Sequence, residues 1–126
     1  MIRNGKGGVG SLRRQITGYI PCEDHAEFHA YARSLGLDGS KLLVLLLLRA
    51  SRVGSSERII QEAIERAAGG PAKITAHFVT EDVYARAASV VENGPDHSGA
   101  SRVFSALIRL ELDERWLGAE LGVDSG

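Results

Sequence analysis

The chain has 126 residues, a formal net charge of −1 and one cysteine, Cys22. That length suits one ordinary domain or two very small units sharing a core, since a unit of about 60 residues buries only about 60% of its surface alone. A single cysteine excludes an internal disulfide framework, and with no signal-peptide pattern at the start a reducing, cytoplasmic location is expected. The longest apolar run, Leu42 to Leu48, falls far short of the roughly 20 residues that cross a bilayer, so no membrane partner is expected.

In chain order, residues 1–12 are Gly-rich and read as a flexible basic arm. Gly5 to Ser11, G-K-G-G-V-G-S, is not a phosphate-binding loop: the lysine required after Gly10 is missing and no strand precedes it. From Gln15 to Pro21 the side chains alternate, with Ile16, Gly18 and Ile20 inward and Gln15, Thr17 and Tyr19 outward, the pattern of a half-buried strand. A helix is expected from about Glu23 to Leu35, with acidic residues in its first turn and Gly36 as its C-terminal cap. Asp38 should cap a second helix, about Gly39 to Arg52, which carries the leucine run. The connector, 53–72, should hold a third helix. It would start at Ser55 or Ser56 and run to about Ala68, with Gly69, Gly70 and Pro71 ending it.

The pattern then repeats. Lys73 to Val79, K-I-T-A-H-F-V, echoes the first strand at a shift of 58 positions, turning Ile74, Ala76 and Phe78 inward and Lys73, Thr75 and His77 outward. At that shift Glu81 and Asp82 match Glu23 and Asp24, Ala88 matches Ala30 and Gly94 matches Gly36. Beyond the turn a shift of 60 matches Ser98-Gly99 to Asp38-Gly39, Leu107 to Leu47 and Arg109 to Arg49. The chain thus divides into an arm (1–12), a first repeat (13–52), a connector (53–72), a second repeat (73–113) and a tail (114–126), the repeats forming one compact domain. Residues 1–58 carry nine Lys/Arg against five Asp/Glu, a balance of +4, whereas residues 59–126 carry six against eleven, −5. Such asymmetry suits a nucleic-acid-facing half beside a half with another partner, or simply an acidic half that maintains solubility.

Strand, helix, tight turn and capped helix, carried by ITGYIP, the E-D helix start and L-G-L-D-G-S-K-L, resemble the ribbon-helix-helix (MetJ/Arc-like) superfamily of DNA-binding proteins. Two copies in one chain resemble the tandem form of TraY-type accessory proteins of plasmid transfer. The resemblance implies a mainly α fold with a two-stranded antiparallel ribbon, a tandem pseudo-dimer that is monomeric in solution and able to assemble on DNA. It implies sequence-specific binding of double-stranded DNA, no enzymatic activity and no cofactor, and a relaxase or other transfer protein as a second partner. Carried over by position, Gln15, Thr17, Tyr19, Lys73, Thr75 and His77 read bases in the major groove. Phosphates would be held by Arg13 and Arg14 and by the starts of the second helices, Gly39, Ser40 and Lys41, then Gly99, Ala100, Ser101 and Arg102. Because the two reading sets differ, an asymmetric DNA site is expected.

Other readings stay open. Cys22, His25 and His29 include an i, i+4 histidine pair compatible with zinc, but no fourth ligand is evident. Asp96, His97 and Ser98 have the residue types of a catalytic triad but are consecutive, so turn and cap roles suffice. A transcriptional repressor, an antitoxin-type regulator or a protein-interaction module that does not bind DNA would each suit the same fold.

Overall fold

The computed structural model describes residues 14–53, 58–92 and 99–120. The expected arm, the Ser55/Ser56 cap, the match of Gly94 to Gly36 and the Asp96–Ser98 turn lie outside them. The chain is mainly helical with one two-stranded antiparallel sheet. Strand β1 (Arg14–Ile20) leads into α1 (Cys22–Ser34) and α2 (Gly39–Val53); α3 (Arg58–Arg66) follows; then β2 (Ala72–Phe78), α4 (Glu81–Glu92), α5 (Gly99–Glu114) and the short α6 (Trp116–Glu120). No helix among the described residues is long and apolar enough to cross a membrane.

The turn between α1 and α2 follows from its residues. Gly36 takes φ +77°, a conformation that glycine adopts without a Cβ clash. The Leu37 N–H then donates to the Ala32 carbonyl (2.9 Å) and the Gly36 N–H to that of Arg33 (3.0 Å), closing the end of α1. Asp38 caps α2, its carboxylate accepting from the Lys41 N–H at 2.8 Å. Pro21 precedes α1 without a side-chain cap, whereas Thr80 caps α4 through the Val83 N–H at 3.2 Å.

The strands pair Gln15 with His77, Thr17 with Thr75 and Tyr19 with Lys73. Their inward residues meet a single core: Ile20, Ile74, Ala76 and Phe78 join Phe28, Leu42, Leu43, Leu47, Phe104 and Ile108. Gly18 is required by this closeness, because a Cβ there would stand 2.9 Å from the Phe104 ring and 3.2 Å from the backbone of Ala100.

Burial corrects the phase of the repeat. The buried residues Leu42, Leu43, Leu46, Leu47 and Ala50 of α2 correspond to Val103, Phe104, Leu107, Ile108 and Glu111 of α5, each 61 positions on. Phe28 and Tyr31 correspond to Ala87 and Val90 at 59. The matches of Leu107 to Leu47 and of Arg109 to Arg49 are therefore replaced by Leu107 to Leu46 and Arg109 to Leu48. Likewise Glu23 and Asp24 correspond to Asp82 and Val83, whereas Gly99 opens α5 as Gly39 opens α2, at the expected shift of 60. One added residue stands between β2 and α4, and two more between α4 and α5, so the shift grows in steps. The repeating leucines of α2 carry no phase of their own, and a helix faces the core correctly only when its apolar spacing is in register.

Two features lie between the repeats. Glu111, 1% exposed, accepts from the Tyr31 hydroxyl at 2.6 Å and from the Leu117 N–H at 2.9 Å. These two donors satisfy a carboxylate oxygen that would otherwise be costly to bury. The tail packs here too, with Leu117 buried and the Arg49 guanidinium 4.6 Å from the centre of the Trp116 ring.

Candidate nucleic-acid interface

The outward face of the ribbon brings all six expected reading residues together. Thr17 and Thr75 form its centre, their hydroxyl oxygens 3.0 Å apart. Gln15 and His77 flank them on one side and Tyr19 and Lys73 on the other. Gln15, Tyr19, Lys73 and His77 are exposed, while the threonines are half-buried by their neighbours. Chemically the face offers an amide, two hydroxyls, a phenol, an imidazole and one ammonium group. These match base-edge donors and acceptors, and a two-stranded ribbon is narrow enough for a major groove.

Each end of the ribbon is tied to the start of a helix. The His77 N–H donates to Ser40 Oγ at 3.1 Å and the Tyr19 N–H to Ser101 Oγ at 2.9 Å. Ser40 and Ser101 are counterparts at the shift of 61, and the two strand residues are counterparts at 58. A helix start leaves its first N–H groups without intrahelical partners, which suits an anion. The serines therefore fix two such starts at set positions beside the ribbon. Sequence reasoning named Ser40 and Ser101 as phosphate ligands but missed this tethering; their recurrence in the correct phase was the available signal.

The helix starts are unequal. Asp38 puts a carboxylate at the start of α2, whereas Gly99, which opens α5 at φ +80°, brings no charge. Lys41 is exposed beside Gly39 and Ser40. Its counterpart Arg102 is turned the other way: its guanidinium donates to the carbonyls of Ile64 (3.0 Å), Glu65 (3.2 Å) and Ala67 (3.3 Å). Rather than standing free beside the start of α5, the Arg102 side chain caps the end of α3, where a cation suits the helix dipole. Arg14 is also engaged, in an exposed pair, its guanidinium lying 2.8 Å from Glu81 and 4.9 Å from the Tyr84 ring centre. Arg13 lies outside the described residues. Of the ribbon and helix-start cations described, Arg14 is ion-paired and Arg102 is bonded to carbonyls, while Lys41 and Lys73 show neither kind of contact.

The histidines have a local role. The His25 and His29 rings lie tilted by 46° with centres 4.3 Å apart, and the His29 ring occupies the space where a Cβ on Gly39 would lie. Burial, followed by the nearby His25 and Arg33, lowers the pKa of His29, with Asp38 acting in the opposite sense. Cys22 is exposed at the start of α1. No protein family, curated protein or solved structure matches this chain.

Proposed function

We propose that the chain is a tandem ribbon-helix-helix pseudo-dimer that binds double-stranded DNA, laying its ribbon in the major groove and gripping the backbone with the starts of α2 and α5. The observation that carries the reading is the ribbon register. It is centred on the Thr17–Thr75 pair, the centre of the repeat, with a serine-tethered helix start at either end. Gln15 is suited to adenine and Lys73 to guanine, and the threonines to a thymine methyl or a base hydrogen bond. Backbone contacts fix orientation and base contacts carry sequence. Since the two clamps and the two reading sets differ, the preferred site is asymmetric. By its resemblance to TraY-type chains, the reading extends to an accessory role at a plasmid transfer origin, beside a relaxase.

Selection of bound duplexes from a random pool at low salt tests this. An asymmetric consensus is expected, and a perfect palindrome would remove the asymmetric reading. A second reading, a protein-interaction module of the same fold that does not bind DNA, is favoured by the engagement of Arg14 and Arg102 within the protein. Failure to bind any duplex at low salt would leave that reading in place of the first.

A further inference from the structure

The two helix starts beside the ribbon differ in what packs against them. Against the start of α2 lies the His29 ring of α1, with both nitrogens within 3.0 Å of the point that a Cβ on Gly39 would occupy. Gly39 is the first residue of α2, so glycine is what lets an imidazole lie against the turn that carries the unpartnered N–H groups. The ring is only half-buried there. His25 stands one helical turn back, its ring centre 4.3 Å away. At the shift of 59 that relates α1 to α4, the counterparts of His25 and His29 are Tyr84 and Ala88. Among the described residues no packed side chain lies within 4 Å of the Cβ position of Gly99, which opens α5. An imidazole therefore backs the first clamp alone.

The groups around the ring favour its neutral form in the free chain. Burial, His25 and Arg33 of the same helix disfavour the imidazolium, and Asp38 of the turn favours it; α2 adds the exposed Lys41 at the same start. A phosphate seated on that start would shift the balance, because an anion within about 4–6 Å favours the charged ring. The charge would also be useful there. Asp38 puts a carboxylate beside any incoming phosphate, and a protonated imidazole next to it offsets that repulsion. We propose that His29 is the proton-linked member of the first clamp: neutral in the free chain, it takes up a proton when a DNA phosphate settles on the start of α2, so duplex affinity rises as the pH falls. The proposal rests on the DNA-binding reading. Its sign follows from linkage, since a proton held more tightly in the complex than in the free chain is taken up on binding, and a lower pH then favours the complex. The rise ends once the free ring is itself protonated, below the ordinary 6.5.

The test follows a short fluorescent duplex of mixed sequence by anisotropy with the full chain at low salt, from about pH 8 to about pH 5.5. Affinity should rise about fivefold as the pH falls, the weight of one unit-charge contact in water, and His29→Gln should flatten the rise. Because His29→Gln removes a packed ring, the parent chain supplies a second measurement. The imidazole resonance of His29, followed by NMR against pH, should report a higher pKa with the duplex than without it. An unchanged pKa would overturn the proposal. So would binding that does not strengthen at low pH, which leaves the DNA reading standing, or a rise that His29→Gln preserves, which would move the linkage to another histidine such as His77 on the ribbon. Failure to bind any duplex across the range would remove the DNA reading and this proposal with it.

Discussion

The first and second halves hold the ribbon by the same serine contact yet solve their packing with different side chains. Where β1 meets α5 the close approach is made by Gly18 under Phe104; the counterparts where β2 meets α2 are Ala76 and Leu43. A small strand residue goes with a large helix residue, and a larger one with a smaller. Outside the core the difference is sharper. Arg102 reaches inward to a helix end, whereas Lys41 stays in water. Two sequences can therefore serve one geometry provided that volume and charge are compensated locally.

The largest expected effect tests the volume half of this comparison. Phe104→Ala should cost about 3–5 kcal/mol, measured by urea unfolding, because Phe104 is fully buried between β1 and the helices. Gly18→Ala should cost about 1–3 kcal/mol through overpacking against the same ring. Combining it with Phe104→Leu, which imitates the Ala76–Leu43 arrangement, should recover most of that loss. A double variant no better than the sum of the two single ones would break the comparison.

Charge gives smaller effects. Arg102→Ala should cost roughly 1–2 kcal/mol, as it leaves the carbonyls at the end of α3 without their cationic donor. Lys41→Ala should be nearly silent in unfolding. In DNA titrations it should reduce the slope of log affinity against log salt by about 0.9 if its ammonium meets a phosphate, and an unchanged slope would remove Lys41 from the interface.

The smallest effect concerns pH. His29 is favoured neutral in the folded chain, so its folded pKa lies below the ordinary 6.5. Unfolding then takes up a proton as the pH falls. Its contribution to stability is complete above 6.5 and is lost as the pH drops through that value towards the lowered one. His29→Gln should show a shallower loss of stability between about pH 7 and about pH 5 than the parent chain; curves of identical slope would show that the half-buried imidazole does not matter.

Much of the architecture was legible. Strict alternation marked both strands and their outward faces, and Gly36 with Asp38 marked the turn, because caps and left-handed turns admit few residue types. The helix phases were not legible, since a run of leucines satisfies several phases and the Arg49–Arg109 identity favoured a wrong one. Glu111 was also hidden. An acidic residue in a helix ordinarily faces solvent, and only the shift of 61 brings it to the core position of Ala50. The engagement of Arg14 and Arg102 depends on partners 67 and at least 35 residues away, which no local pattern encodes.

Glu111 also bears on which halves can associate. Its hydroxyl donor, Tyr31, comes from the opposite half, and the counterpart of Tyr31 is Val90, which has no donor. Two second halves brought together would bury two carboxylates facing valines. Two first halves would set two tyrosine hydroxyls against Ala50 in place of a carboxylate. Pairing two like halves would therefore lose the Tyr31–Glu111 hydrogen bond, which links the two parts of the chain across the core.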